Sequence, residues 1–197
     1  MKTGHILLVV VFCLTLVVMN STAGAAKWEP YQFKDNEKYE FKIISMEDGK
    51  QNEAYYGLEM RKSSKNADMV EVTYTTRGEV PASELGAETA FGLWNVYGMS
   101  LGMAFLNPAY SFFFAQLDLV EGGNMNFYGA GTVKVTGKET VGGREGFLCK
   151  LTQPGDGGDQ LVTEWTIDPA LALPIKSIIY DEGQVQSKVE LIKYTKL

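Results

Sequence analysis

Between Glu88 and Asp118 the chain carries no charged side chain. The uncharged run, Thr89 to Leu117, reads T-A-F-G-L-W-N-V-Y-G-M-S-L-G-M-A-F-L-N-P-A-Y-S-F-F-F-A-Q-L, while the sequence on both sides is charged and alternating. Such a segment must be buried on the protein itself, in a partner or ligand, or in a lipid bilayer. Ser83 is a candidate N-cap, and Glu84 and Glu88 suit the positive end of a helix dipole. The pattern predicts a helix to Leu106, about 30 Å long at 1.5 Å per residue. Asn107-Pro108 breaks it, because proline disfavours a helical residue before it. A second helix is expected from Pro108 to about Leu119. On a wheel, Phe91, Trp94, Gly98, Leu101, Gly102 and Phe105 share one side and Val96, Met99, Met103 and Leu106 fall opposite. A helix apolar all round is not a surface helix with one buried stripe. It is wrapped by a curled sheet, or it is a lid over an apolar ligand, or it enters a membrane or an oligomer interface. Gly98-x-x-x-Gly102 fits the last of these, whereas Asn95, Ser100 and the break at Asn107-Pro108 weaken insertion.

The N-terminus reads as an export signal. Lys2 supplies the positive charge, Ile6 to Val18 the apolar core, and Ala23-Gly24-Ala25 the small-residue cleavage pattern. Cutting after Ala25 leaves one domain of roughly 170 residues, and no cysteine stands at the cut to take a lipid. The single histidine, His5, and one of the two cysteines, Cys13, leave with the signal. The exported chain then has neither a histidine for a Ser-His-Asp or Cys-His arrangement nor a partner for Cys149. No enzyme, metal site or cofactor is expected. The formal net charge of −6 opposes nucleic-acid binding, which needs a basic footprint, and opposes simple adsorption to anionic lipid.

Outside the uncharged run the periodicity is two. Lys38 to Ile43 alternates polar and apolar; Ala54, Tyr56, Leu58 and Met60 share one strand face; Val70, Val72 and Tyr74 share another. These three predict an antiparallel meander with one wet face. Further strands are expected over Met125–Val135, bent at Gly129 and Gly131, over Glu145–Gln153, and around Leu161–Ile167 after a hairpin at Pro154-Gly155-Asp156-Gly157-Gly158. Ile175–Tyr180 and Val185–Tyr194 form a last hairpin about Asp181-Glu182-Gly183. The Asp156 and Asp159 carboxylates fall short of the six to eight oxygens calcium takes, and Cys149, in phase with Phe147 and Leu151, reads as a buried inert thiol.

The order strands, helices, strands, together with Gly137-Lys138-Glu139-Thr140-Val141-Gly142-Gly143-Arg144, Glu164-Trp165-Thr166-Ile167-Asp168 and Leu173-Pro174-Ile175-Lys176, resembles the LolA/LolB-like superfamily of outer-membrane lipoprotein-sorting proteins. The resemblance implies an α+β fold: a strongly curved antiparallel sheet, an unclosed half-barrel, with a central helical insertion plugging its concave face. It implies a single domain over residues 26–197, with a helical lid at about 83–119. The function it implies is a periplasmic carrier or binding protein for an apolar ligand, a lipid or lipoprotein acyl chain, held between sheet and lid. The ligand-facing residues would be Phe91, Trp94, Met99, Met103, Phe105 and Phe112 of the lid, with Trp165 on the sheet. The uncharged stretch is longer and more apolar than a small carrier's lid, which makes this a divergent member. The alternative is an envelope scaffold, a monomer whose apolar segment docks on a partner protein or makes peripheral membrane contact.

N-terminal sequencing of the exported protein should begin at Ala26; a chain that keeps Met1 would contradict the cleavage.

Overall fold

The computed structural model describes residues 25–47, 49–79, 82, 114–127, 131–155 and 157–197. They build one sheet of nine antiparallel strands: β1 (Glu37–Glu47), β2 (Lys50–Lys62), β3 (Val70–Gly78), β4 (Asn124–Phe127), β5 (Gly131–Val141), β6 (Arg144–Gly155), β7 (Gly158–Ile167), β8 (Lys176–Asp181) and β9 (Gln184–Lys196). The order across the sheet is β3-β2-β1-β9-β8-β7-β6-β5-β4, so β3 and β4 are its open edges. No helix element is present among the described residues, and the class is all-β rather than α+β.

Three expectations are corrected. The central helical insertion is absent from the described residues; most of the expected lid, 83–113, lies outside them. Its end is described, and from Ala115 to Leu119 the chain is a turn and an isolated bridge. The Leu119 amide donates to the Ala26 carbonyl at 2.9 Å, and Phe114, Leu117 and Leu119 are all buried. Docking against the N-terminal segment has overridden helical propensity there. The long strand expected from Met125 to Val135 is instead two strands, β4 and β5, paired from Asn124↔Lys134 to Phe127↔Gly131. Glycine marked a reversal and not a bend.

Period-two patterning decides which side of the sheet is dry. On β1, Tyr39, Phe41 and Ile43 are buried, and on β2 so are Ala54, Leu58 and Met60. Successive side chains point to opposite faces, and the outer face carries ion pairs: Lys42–Glu53 at 2.8 Å and Lys150–Glu164 at 2.8 Å between strands, and Lys188–Glu190 at 2.7 Å along β9. Partly exposed pairs such as Lys42–Glu53 and Lys188–Glu190 add at most about 1 kcal/mol each, so the sheet is held mainly by its inner face. Two clusters form there. One joins Tyr39, Phe41 and Ile43 to Val189, Leu191 and the β7–β8 connection through Leu171, Leu173 and Ile175. The other joins Val133, Val135, Cys149, Trp165 and Ile167 to Trp28, Phe114, Leu117 and Leu119. The Trp28 indole donates to the Leu171 carbonyl at 2.7 Å and ties the two clusters together.

The sheet also curls. Strands β5 and β9 are separated by β6, β7 and β8, which in a flat sheet would be about 19 Å at 4.8 Å per step. Yet the turn after β5 abuts β9: a Cβ at Gly142 would lie 2.5 Å from the Leu191 carbonyl oxygen, and the Arg144 guanidinium lies 5.4 Å from the Tyr194 ring centroid. Gly142 has φ +56 and no room, whereas its neighbour Gly143 has φ +76 and open space. An L-residue in either position pays left-handed strain of about 1–2 kcal/mol, and only Gly142 adds a clash. Gly142→Ala should therefore lose at least about 1 kcal/mol more stability than Gly143→Ala in denaturant titration; equal losses would contradict the close approach.

Candidate functional site

Following the register from strand to strand places the inner-face side chains in rows that run across the sheet. One row is Ala54, Ile43, Val189, Ser177, Trp165, Cys149 and Val135, each the direct partner of the next. All seven are buried. The next row is Asn52, Ser45, Ser187, Ile179, Thr163, Leu151, Val133 and Met125, again in unbroken pairing from β2 to β4. The inner face is thus a continuous surface, apolar over most of its width, with serine and threonine hydroxyls at Ser45, Ser187, Ser177 and Thr163 of its middle strands.

Of the residues the resemblance assigns to ligand contact, only Trp165 is described. It is 1% exposed, and its ring meets Phe114 edge-to-face at 5.2 Å, as Trp28 meets Phe114 at 5.1 Å. Trp165 lies on the inner face between Ser177 and Cys149. Phe91, Trp94, Met99, Met103, Phe105 and Phe112 lie outside the described residues. Cys149 is buried beside Trp165, and burial pushes its thiol up to about 12.

Three features went unread in the sequence. The first is Glu37, in phase with Tyr39, Phe41 and Ile43, and 2% exposed. Its carboxyl accepts from the Lys34 amide at 2.6 Å, the Tyr194 hydroxyl at 2.9 Å and the Tyr39 hydroxyl at 3.2 Å. A buried carboxyl with three donors is satisfied and rigid. The Arg144–Asp168 pair, 2.8 Å from Nε to Oδ2, closes the same end of the sheet. Burial, with Glu37 beside it, raises the Tyr39 phenol well above its ordinary value, and the same two causes push Tyr194 up to about 12. The second is the apolar edge. Val72 and Tyr74 pair with Met60 and Leu58 and so continue the inner face, yet they are 44% and 61% exposed. The third is the set of inner-face serines, taken up below. In-phase polar residues were the available signal for Glu37 and Ser45; hydrophobic periodicity alone passes over them.

On the opposite face a groove of about 530 Å³ opens above Gly57, lined among others by Lys38, Glu40, Tyr55, Arg77 and Lys193. The Arg77 guanidinium sits 4.7 Å from the Tyr55 ring centroid. The groove's lining mixes these charged side chains with Tyr55, Tyr56 and Ile192.

No family model matches the chain, and no curated protein matches it. Among solved structures, the crystal structure of MucB is similar at 15% identity over 85% of this chain and 55% of that one, with a TM-score of 0.39. MucB in complex with MucA(peri) is similar at 12% identity over 83% of this chain and 50% of that one, with a TM-score of 0.35. This chain spans about half the length of either. At those scores neither fold nor function carries over, and the LolA-like likeness stays a resemblance.

Two chemical outcomes follow from the burial. Cys149 should resist thiol reagents at neutral pH until the protein is unfolded, and rapid labelling of the native protein would contradict its place in the core. Tyr56 and Tyr194 are both raised to about 12 from 10.0. Unfolded tyrosines ionise first, so the stability these phenols contribute is whole below pH 10 and is lost as the pH rises toward 12. Denaturant midpoints measured across that window should fall, and should fall less in Tyr56→Phe and Tyr194→Phe.

Proposed function

We propose that this is an exported binding protein that holds an apolar ligand, a lipid or acyl chain, against the inner face of its unclosed sheet. The observation that carries the reading is the one-sidedness of that sheet together with its open edge. The inner rows are largely apolar from β2 to β5, interrupted by Asn52, Thr163 and three serines, and the same face runs out to solvent at β3, where Val72 and Tyr74 are exposed. An acyl chain laid along such a face removes apolar surface from water at about 25 cal/mol per Å². No covalent step is part of the proposal: the protein would bind and release, with Trp165 among the contacting residues. The export signal at Lys2 to Ala25 and the resemblance to lipoprotein-sorting proteins both support a periplasmic site of action.

A second reading is favoured by the same edge. Among the described residues strand β3 has no partner on its outer flank, beside Met69 and Val70, 60% and 41% exposed. An extended segment of an envelope protein could add to it as a further strand. The chain would then be an interaction protein.

Native mass spectrometry of the protein purified from the cell envelope without detergent separates the two. The first reading predicts an adduct of lipid mass that is reduced several-fold in Tyr74→Lys, a substitution at an exposed position that leaves the fold intact. Apo protein that also fails to take up added lipid would overturn it and favour the protein partner.

A further inference from the structure

Three serines break the apolar character of the inner face, and they stand together. Ser45 of β1 is the direct partner of Ser187 of β9. Ser177 of β8 pairs with Val189, two residues along from Ser187, so it is the diagonal neighbour of Ser187, about 7–8 Å away. All three are more than nine-tenths buried, at 7%, 4% and 1% exposure. Their hydroxyl oxygens find no hydrogen-bond partner among the described residues. That is unusual, because buried polar side chains are nearly always paired, and an unpaired one bears its whole desolvation cost. It also contrasts with Glu37 on the same face, which accepts from three donors. In their rows the serines are flanked by Asn52 on the β2 side and by Val189, Ile179 and Trp165 elsewhere. A cluster of free donors and acceptors set into an apolar floor matches an amphiphile at the point where its chain meets its polar linkage.

Resting on the proposed apolar-ligand reading, we infer that Ser45, Ser177 and Ser187 form a polar subsite that takes the ester linkage of an acylated ligand. The ester carbonyl accepts from the hydroxyls while its acyl chain lies along the neighbouring apolar rows. An aliphatic chain without an ester would bind the same face but leave the hydroxyls unmet. Preference for esters would therefore be written into the sheet itself.

The test compares monoolein with an unbranched alkene of the same chain length, by displacement of a fluorescent fatty acid from the exported protein. Monoolein should bind about tenfold more tightly, the worth of one or two recovered hydrogen bonds. In the Ser177→Ala/Ser187→Ala variant that preference should vanish while alkene binding is unchanged. The same variant should melt no lower than the parent, since it removes unpaired hydroxyls. A diacylated lipopeptide, run in parallel, separates the two sources of the ester. A larger ester-dependent preference for the lipopeptide marks an acylated polypeptide as the ligand, and a larger one for monoolein marks a free glycerolipid. Equal binding of monoolein and alkene by the parent protein overturns the subsite while leaving the apolar reading intact. Binding of neither overturns both.

Discussion

Everything in this protein depends on the phase of alternation being kept across strands. Because side chains change face at every residue, a slip of one position in any pairing would turn a strand inside out. The two inner rows show that no such slip survives between β2 and β5: Ala54 connects through Ile43, Val189, Ser177, Trp165 and Cys149 to Val135 without leaving the dry face. The irregularities between Glu40 and Phe41, Leu151 and Thr152, and Ile179 and Tyr180 fall outside that first row, and a fourth, between Val135 and Gly137, begins at its last member. Pairing with tight register on one face and ion pairs on the other makes a sheet that need not close to be stable.

Curvature follows from what holds the ends. At one end of the strands β7 and β8 stop short, and the space is taken by the β7–β8 connection and the β5–β6 turn. Ile175 accepts from the Leu191 amide at 2.8 Å, and Ala172 accepts from the Tyr31 amide at 2.8 Å. The Ala172 amide in turn donates to the Tyr39 hydroxyl at 3.3 Å. That corner is crowded and fully bonded around Glu37. Ser45 and Ser187 lie toward the other end of the same face and Ser177 between the two ends, and the three hydroxyls are unmatched among the described residues. A face that is rigid and satisfied at one end and chemically incomplete at the other has an orientation, and a ligand with a chain and a head can be read against it.

Much of the sheet was legible because burial imposes a period on the sequence. Lys38 to Ile43, Ala54 to Met60 and the hairpin about Asp181-Glu182-Gly183 all lie where alternation and turn chemistry put them. What failed has physical causes. The split of Met125–Val135 into β4 and β5 was hidden because glycine serves a bend and a reversal equally well. Helix was expected through Leu119, but the Leu119 amide pairs with Ala26 of the N-terminal segment, a contact no local propensity encodes. Trp28, ahead of the first strand, is a core residue bonded to Leu171 that no strand periodicity marks. The serines were invisible because periodicity scores apolar positions, and a polar residue in the apolar phase carries meaning only once its neighbours across the sheet are known. Of the candidate ligand contacts, the sheet residue Trp165 is placed on the inner face, while the six in the uncharged run fall outside the described residues.

The central claim is that an apolar ligand lies on the inner face and nowhere else. Methyl spectra of the protein, recorded with a fatty acid carrying a nitroxide on its chain, test it directly. Resonances of Ile43, Val189 and Ile167, which face inward, should broaden, while Ile44 and Ile178, which share the outer face with Glu53 and Glu164, should stay sharp. Uniform weak broadening, or broadening confined to the outward methyls, would contradict the account.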